Sequence, residues 1–349
     1  MMSLEEQLTT NGNNKLDDSM DEDAKVKKLS IENLDARHHE LFVRALRRVL
    51  STDLAKLTYA QIIDGLPLTD TVNDTVGGGL SNGHPLYNMH KKLCDGVMER
   101  TEEMSASFDP NVLKFDSRLL FACQAASPGS RAFRIRLIEM IAVAVHQVAV
   151  VLFQLDTSLH KDDGITTWAP PKEDKVFWWF SPDGPLPSLF SHEWYQDYKQ
   201  YPDGVADMVG YWAESRIFGG VVLFDRGTPG REPDPDAVFF HPDRYDITYR
   251  IYQLLESQKQ RLLDFLLSDT PGPSPFPILG DLKNDRRVDP EEDIEDTGIY
   301  RDIWERKPLP LDGPDARQRD VYDEFNYVTF REWDDSRGRC RERRNRPET

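Results

Sequence analysis

Apolar side chains along RLIEMIAVAVHQVAVVLFQL, Arg136 to Leu155, recur at alternating spacings of three and four: Ile138, Ile141, Val145, Val148, Leu152 and Leu155. That repeat belongs to one helix face. The intervening Ala142, Ala144, Ala149, Val150 and Val151 are apolar too, so the predicted helix has almost no wet side. Such a helix is either the buried centre of a fold or a membrane span. Glu139, His146 and Gln147 interrupt the run, whereas a span needs about 20 mostly apolar residues. The pattern predicts a buried central helix over residues 131–155, with no membrane span.

Amphipathic periods predict further helices around it. One runs from an Asn33 cap to Leu50, and a second from the Ser51-Thr52-Asp53 cap to a stop at Gly65 and Pro67. Others cover Pro85 to Met104, Ser117 to Ala126, and a short SHEWYQDYKQ segment capped by Ser191. Val205, Met208, Val209, Trp212, Arg216 and Ile217 share a face of a helix that Gly219-Gly220 terminates. A long helix is predicted from Asp243 to Leu267, with Tyr245, Tyr249 and Tyr252 as a second stripe. Period-two or continuous apolar runs mark KVFWWF as a strand, and VVLF (to Asp225) and AVFF (to His241) as a possible hairpin across a long loop. The expected fold class is mainly α, a helical domain around the central helix with a minor β-hairpin or small sheet.

The same pattern divides the chain. Residues 1–28 hold too few apolar side chains to offset the entropy of ordering, and are expected to be disordered. Residues 30–268 form the main helical domain. Residues 269–335 form an acidic, aromatic arm whose DVYDEFNYVTFREW is expected to dock in extended form, burying Phe325, Phe330 and Trp333. Residues 336–349 read as a disordered basic tail.

Charge narrows the function. A net charge of −18 with a sequence pI near 4.9 argues against nucleic acid and anionic membranes as partners, and leaves an acidic surface for a basic protein. Cys94, Cys123 and Cys340 are too few and too scattered for a disulfide framework or a zinc site. The polar, acidic N-terminal stretch has no apolar core of a signal peptide, so the expected location is the cytoplasm, with the arginine-rich tail keeping a nuclear address open.

No phosphate-cradling glycine loop, H-E-x-x-H, paired C-x-x-C, EF-hand or G-x-S-x-G is present; Gly77 to Gly79 lack a following lysine, and Asp162 lacks a further acidic partner. No cofactor and no metal are expected. What remains is isolated polar residues near apolar structure. His146 sits in the central helix with Glu139 on its side, either a buried acid/base or a core histidine bonded to a carbonyl. His192 and His241 flank elements and suit caps as well as a cleft. Asp207, Tyr211 and Glu214 line one helix face at spacings of four and three, and Asp225 at a strand end can join them; salt bridges with Arg216 or Arg226 are the plainer use of that face. Trp168, Trp178, Trp179, Trp194 and Trp212, with Tyr211, suit either an aromatic-lined pocket or core packing.

The block YPDGVADMVGYWAESRIFGGVVLFDRG, with YRIYQLLESQKQRLLDFLL after it, resembles proteins of filamentous fungi that carry no assigned activity. The resemblance covers the middle third of the chain. It implies an accessory or secondary-metabolism protein and brings no catalytic residues. Two functions follow from the sequence. The first is an intracellular accessory or protein-interaction protein with a protein partner. The second is a cofactor-free enzyme of isomerase, dehydratase or cyclase type, acting on a small apolar metabolite.

Overall fold

The computed structural model describes residues 27–75, 80–81, 83–161, 163–244, 246–307 and 322–344. The expectations for residues 1–26, Gly77 to Gly79, Asp162, Tyr245 and residues 345–349 lie outside them.

The chain enters through β1 (Lys28–Ser30) and α1 (Ala36–Leu50). Asp35, not Asn33, caps α1, its carboxylate accepting the N–H groups of Arg37 and His38. Thr52 caps α2 (Asp53–Asp64), and Gly65 closes it in the left-handed conformation, φ +104°. α3 (Thr69–Asn73) and α4 (Leu86–Met89) follow. The one helix expected over Pro85 to Met104 is therefore two, because the chain turns inward after α4 and restarts at Gly96 as α5 (Val97–Ser107). β2 (Lys114–Asp116) pairs antiparallel with β1 and leads into α6 (Ser117–Ala125).

α7 (Arg131–Gln154) is the centre, capped by the Ser130 hydroxyl, with Leu137, Met140, Ile141, Ala144, Val145 and Val148 fully buried. α1, α2 and α6 pack on it, and its main neighbour is α9 (Val205–Phe218). By length and composition α7 matches a membrane span, but 78% of its most apolar stretch is buried inside the protein. KVFWWF, expected as a strand, is a single turn and a half of helix, α8 (Lys175–Phe180), because the Asp174 carboxylate caps it on the Phe177 N–H. SHEWYQDYKQ holds only a short 3-10 turn at Tyr198–Gln200.

The expectation of a mainly α fold with a minor β-hairpin or small sheet is corrected by a sizeable five-stranded antiparallel sheet. β3 (Val221–Asp225) and β4 (Val238–His241) do pair, with Val221 opposite His241 and Phe224 opposite Val238. β5 (Ile251–Gln253) adds to β4, taking the residues expected to begin the long helix, and α10 (Glu256–Leu267) starts only after it. The segment after residue 268 supplies both edges, β6 (Arg287–Val288) and β7 (Ile299–Tyr300), around the short α11 (Ile294–Thr297). The sheet order is β6-β5-β4-β3-β7.

Both faces of this sheet are covered. Val222, Phe224, Val238, Phe240 and Tyr252 join the α7 core, while Val221, Leu223, Phe239 and Ile251 join a second cluster with Trp194, Tyr195 and Tyr211. Burial on alternate faces explains why VVLF and AVFF are continuously apolar. α12 (Phe330–Arg344) closes the described chain as a helix where an extended arm and a disordered tail were expected. Trp333 is buried, but Phe325 and Phe330 are 44% and 61% exposed, contrary to expectation.

Candidate functional site

α7 and α9 cross at His146. Asp207, Tyr211 and Glu214, one face of α9, converge on its ring. His146 Nε2 lies 3.0 Å from Asp207 Oδ1 and Nδ1 lies 3.6 Å from Glu214 Oε2, while Tyr211 packs edge-on with ring centroids 4.5 Å apart. Glu214 accepts the Val222 N–H at 2.6 Å and an Arg301 guanidinium N–H at 2.7 Å to each oxygen. Asp207 also accepts the Asp203 N–H. All four charged side chains are buried.

Burial alone favours neutral imidazole. The hydrogen bond to Asp207 and the neighbouring Glu214 carboxylate outweigh it and hold the His146 pKa above the ordinary histidine value, although Nδ1 itself makes no hydrogen bond. Burial likewise opposes the Asp207 carboxylate, but the bond to His146 holds its pKa below the usual range. With imidazolium at the centre, two cations face two anions, and the cluster carries no net charge. A Cβ at Gly210 would sit 2.5 Å from His146 Nε2, so α9 backbone closes this side of the ring.

The other expected residues are elsewhere. Glu139 pairs with Arg136 at 2.7 Å and Arg226 at 2.6 Å. Asp225 holds Arg231 through two bonds of 2.7 and 2.9 Å. Arg216 binds Asp74, so neither arginine proposed for the α9 face meets Glu214. His192 is fully buried; its Nε2 donates to the His241 carbonyl, its Nδ1 accepts the Trp194 N–H, and burial drops its pKa to about 3. The tryptophans do not assemble into one pocket. Trp212 packs on Phe190 in the main core, Trp194 belongs to the second cluster, and Trp168 meets His84. Trp178 donates to the Pro171 carbonyl beneath Lys172, and Trp179 is 69% exposed.

A second group brings together residues that were not candidates, one of them Cys94, into an arrangement that could hold a metal ion. Asp64 ends α2, His90 and Cys94 lie in the α4–α5 connection, and His160 follows α7; their potential ligand atoms all lie within 4.8 Å of one another. His90 Nε2 is 3.0 Å from Asp64 Oδ2, which also accepts the Cys94 N–H at 2.9 Å. Cys94 Sγ is 3.3 Å from His160 Nε2, itself 3.7 Å from Asp64 Oδ1. The outer ring nitrogens are held as well, His90 Nδ1 by the Pro67 carbonyl at 3.0 Å and His160 Nδ1 by Asp163 at 2.6 Å. Leu159 and His160 donate their N–H groups to the Asp64 carbonyl, which sets the segment against α2. Gly65 permits that approach, since a Cβ there would lie 2.7 Å from Ser158 Cβ.

Asp64 is fully buried, and its Oδ1 accepts no hydrogen bond. Burial works to raise its pKa, but the bonds from His90 and Cys94 keep it low; His90 is raised against its own burial by Asp64. Burial, then Asp64, push the Cys94 thiol up. The only local sequence signal for this cluster is the four-residue spacing of His90 and Cys94, which is common by chance.

Comparison with known protein families, with curated proteins and with solved structures finds no match.

Proposed function

We propose that this protein is a non-catalytic intracellular accessory protein that acts by binding a protein partner, and that His146 belongs to its frame. The observation that carries the reading is the closure of the His146 cluster. Both ring nitrogens face carboxylates that are themselves committed, to Arg301 and to backbone N–H groups, and Gly210 seals the near side. A general base needs a reacting atom within hydrogen-bond reach; here Nε2 is taken by Asp207, and Nδ1, which makes no hydrogen bond, faces the Glu214 carboxylate at 3.6 Å inside the core. Val176 and Trp179, one turn apart on α8 and 70% and 69% exposed, offer an aromatic anchor of the kind enriched at interfaces. The net charge of −18 favours a partner whose apolar cleft has a basic rim.

The enzyme reading has one geometric support. Cys94, His160 and Asp163 stand in line at 3.3 and 2.6 Å, the order of a thiol nucleophile, a base and its orienting carboxylate. Two features oppose it. The Asp64 carboxylate lies beside the thiol, where it disfavours thiolate, and it takes the Cys94 N–H that an oxyanion would need.

The test compares wild type with His146→Gln in thermal melts and in a metabolite-binding and turnover screen. Lost stability with no ligand for either protein is the expected result. Lost ligand binding at unchanged stability would reverse the reading.

A further inference from the structure

We propose that Asp64, His90, Cys94 and His160 bind one zinc ion in a closed, four-ligand site that ties the α4–α5 connection and the segment after α7 to the end of α2. The proposal does not depend on the role given to His146.

The donor set selects the metal. Two imidazoles, one thiolate and one carboxylate form a mixed N/S/O set of borderline softness, which suits zinc and is foreign to calcium or magnesium. The spacing suits it too. Zinc bonds of about 2.0–2.3 Å at tetrahedral angles place ligand atoms roughly 3.3–3.8 Å apart. His90 Nε2 to Asp64 Oδ2, Cys94 Sγ to His160 Nε2, and His160 Nε2 to Asp64 Oδ1 measure 3.0, 3.3 and 3.7 Å, and one ligand atom from each of the four residues lies within 4.8 Å of the rest, so the group needs only to contract around the ion.

Three further observations point to a cation. First, Asp64 is fully buried, and while Oδ2 meets His90 and the Cys94 N–H, Oδ1 accepts no hydrogen bond although it lies 3.7 Å from His160 Nε2, a costly arrangement for a buried carboxylate oxygen. Second, each histidine has its outer nitrogen held, one by a carbonyl and one by a carboxylate, which fixes the ring and points the inner nitrogen at the centre. Third, the charges balance. Zinc with one carboxylate, one thiolate and two neutral imidazoles is a neutral group. On binding, the zinc–sulfur and zinc–nitrogen bonds form as the Cys94 thiol proton and the His90 Nε2 proton, which faces Asp64, leave to solvent, with no change in oxidation state. Four protein ligands leave no position for water or substrate, so the role is structural.

The experiment strips the full-length protein with chelator, then titrates it with zinc and separately with cobalt(II). Expected are one ion per chain and a melting temperature that rises until one equivalent of zinc is bound. Cobalt should give the intense visible bands of a tetrahedral ion together with a thiolate charge-transfer band. Cys94→Ser should lose the charge-transfer band. Asp163→Asn, which alters only the orienting carboxylate, should fold and bind zinc about 10–100-fold more weakly. Zinc should also protect Cys94 from iodoacetamide. The proposal is overturned if folded wild type binds no stoichiometric zinc, if the cobalt spectrum is octahedral or keeps its thiolate band in Cys94→Ser, or if Cys94 alkylates rapidly whether or not zinc is present. The last outcome would favour the thiol nucleophile instead.

Discussion

Gly210 faces the His146 imidazole across the α7–α9 contact so closely that a Cβ would lie 2.5 Å from Nε2. α7 and α9 therefore meet directly at a polar residue. The ring fills the space that a side chain on α9 would otherwise occupy, and Asp207 and Glu214, on either side of Gly210, reach its two nitrogens.

Gly210→Ala should destabilise the protein. Alanine gains up to about 1 kcal/mol of helix propensity, but its methyl displaces the ring and breaks the His146–Asp207 bond. Overpacking a filled core costs roughly 1–3 kcal/mol, so the net sign is unfavourable. Urea denaturation checks it; an unchanged or raised midpoint would show that the helices can separate freely.

Val148→Asp should abolish cooperative folding. Val148 is fully buried on the stripe of α7 that meets the hydrophobic core, so the new carboxylate would lie among apolar side chains. A soluble variant with a sharp thermal transition would contradict the placement of α7 at the centre.

The C-terminal helix should be part of the stable fold. Arg250 is buried between β5 and α12, 2.7 Å from Asp289 and also paired with Glu332. Ser336 and Arg339 of α12 bond Asp289 at 2.8 and 2.9 Å. Arg250→Ala leaves Asp289 buried without its main countercharge, a loss of about 3–5 kcal/mol. Deletion of residues 336–349 should lower the melting temperature as well, because it removes the Ser336 and Arg339 bonds. A silent deletion would show that α12 is not held by them.

The parts of this fold legible in the sequence are those whose signal is local. α7 announces itself through Ile138 to Leu152, and the Asp207, Tyr211 and Glu214 face of α9 follows from spacing alone. β5 was hidden because Ile251 and Leu255 suit a helical period as well as Ile251 and Tyr252 suit a buried strand; strand pairing with β4 decides between them. KVFWWF carries strand-forming residues, yet a single Asp174 cap makes it helical. Arg301 has no local signal because its partner Glu214 lies far away in sequence, and the Asp64 cluster has none for the same reason: its members meet only after α2, α4–α5 and the end of α7 have folded together. Long-range polar pairing leaves no periodic trace.

His146 should make the stability depend on pH in a definite sense. Its folded pKa is raised, so its contribution is complete below the unfolded value of about 6.5 and is lost as pH rises through the folded value. Asp207 is depressed from 3.8, so its contribution is present above that value and is lost as pH falls through the folded one. The pair therefore supports the fold most strongly between about pH 4 and 6.5, and less in alkali. Other groups titrate in the same range, including Glu305, raised to about 7 by burial, and His192, lowered to about 3 by burial. Their effects are common to both proteins and cancel in the difference between wild type and His146→Gln. That difference, from chemical denaturation at about pH 5.5 and about pH 9, should be larger at the lower pH. A difference that is flat, or that grows into alkali, would mean that His146 is neutral in the native cluster and that Arg301 alone balances Asp207 and Glu214.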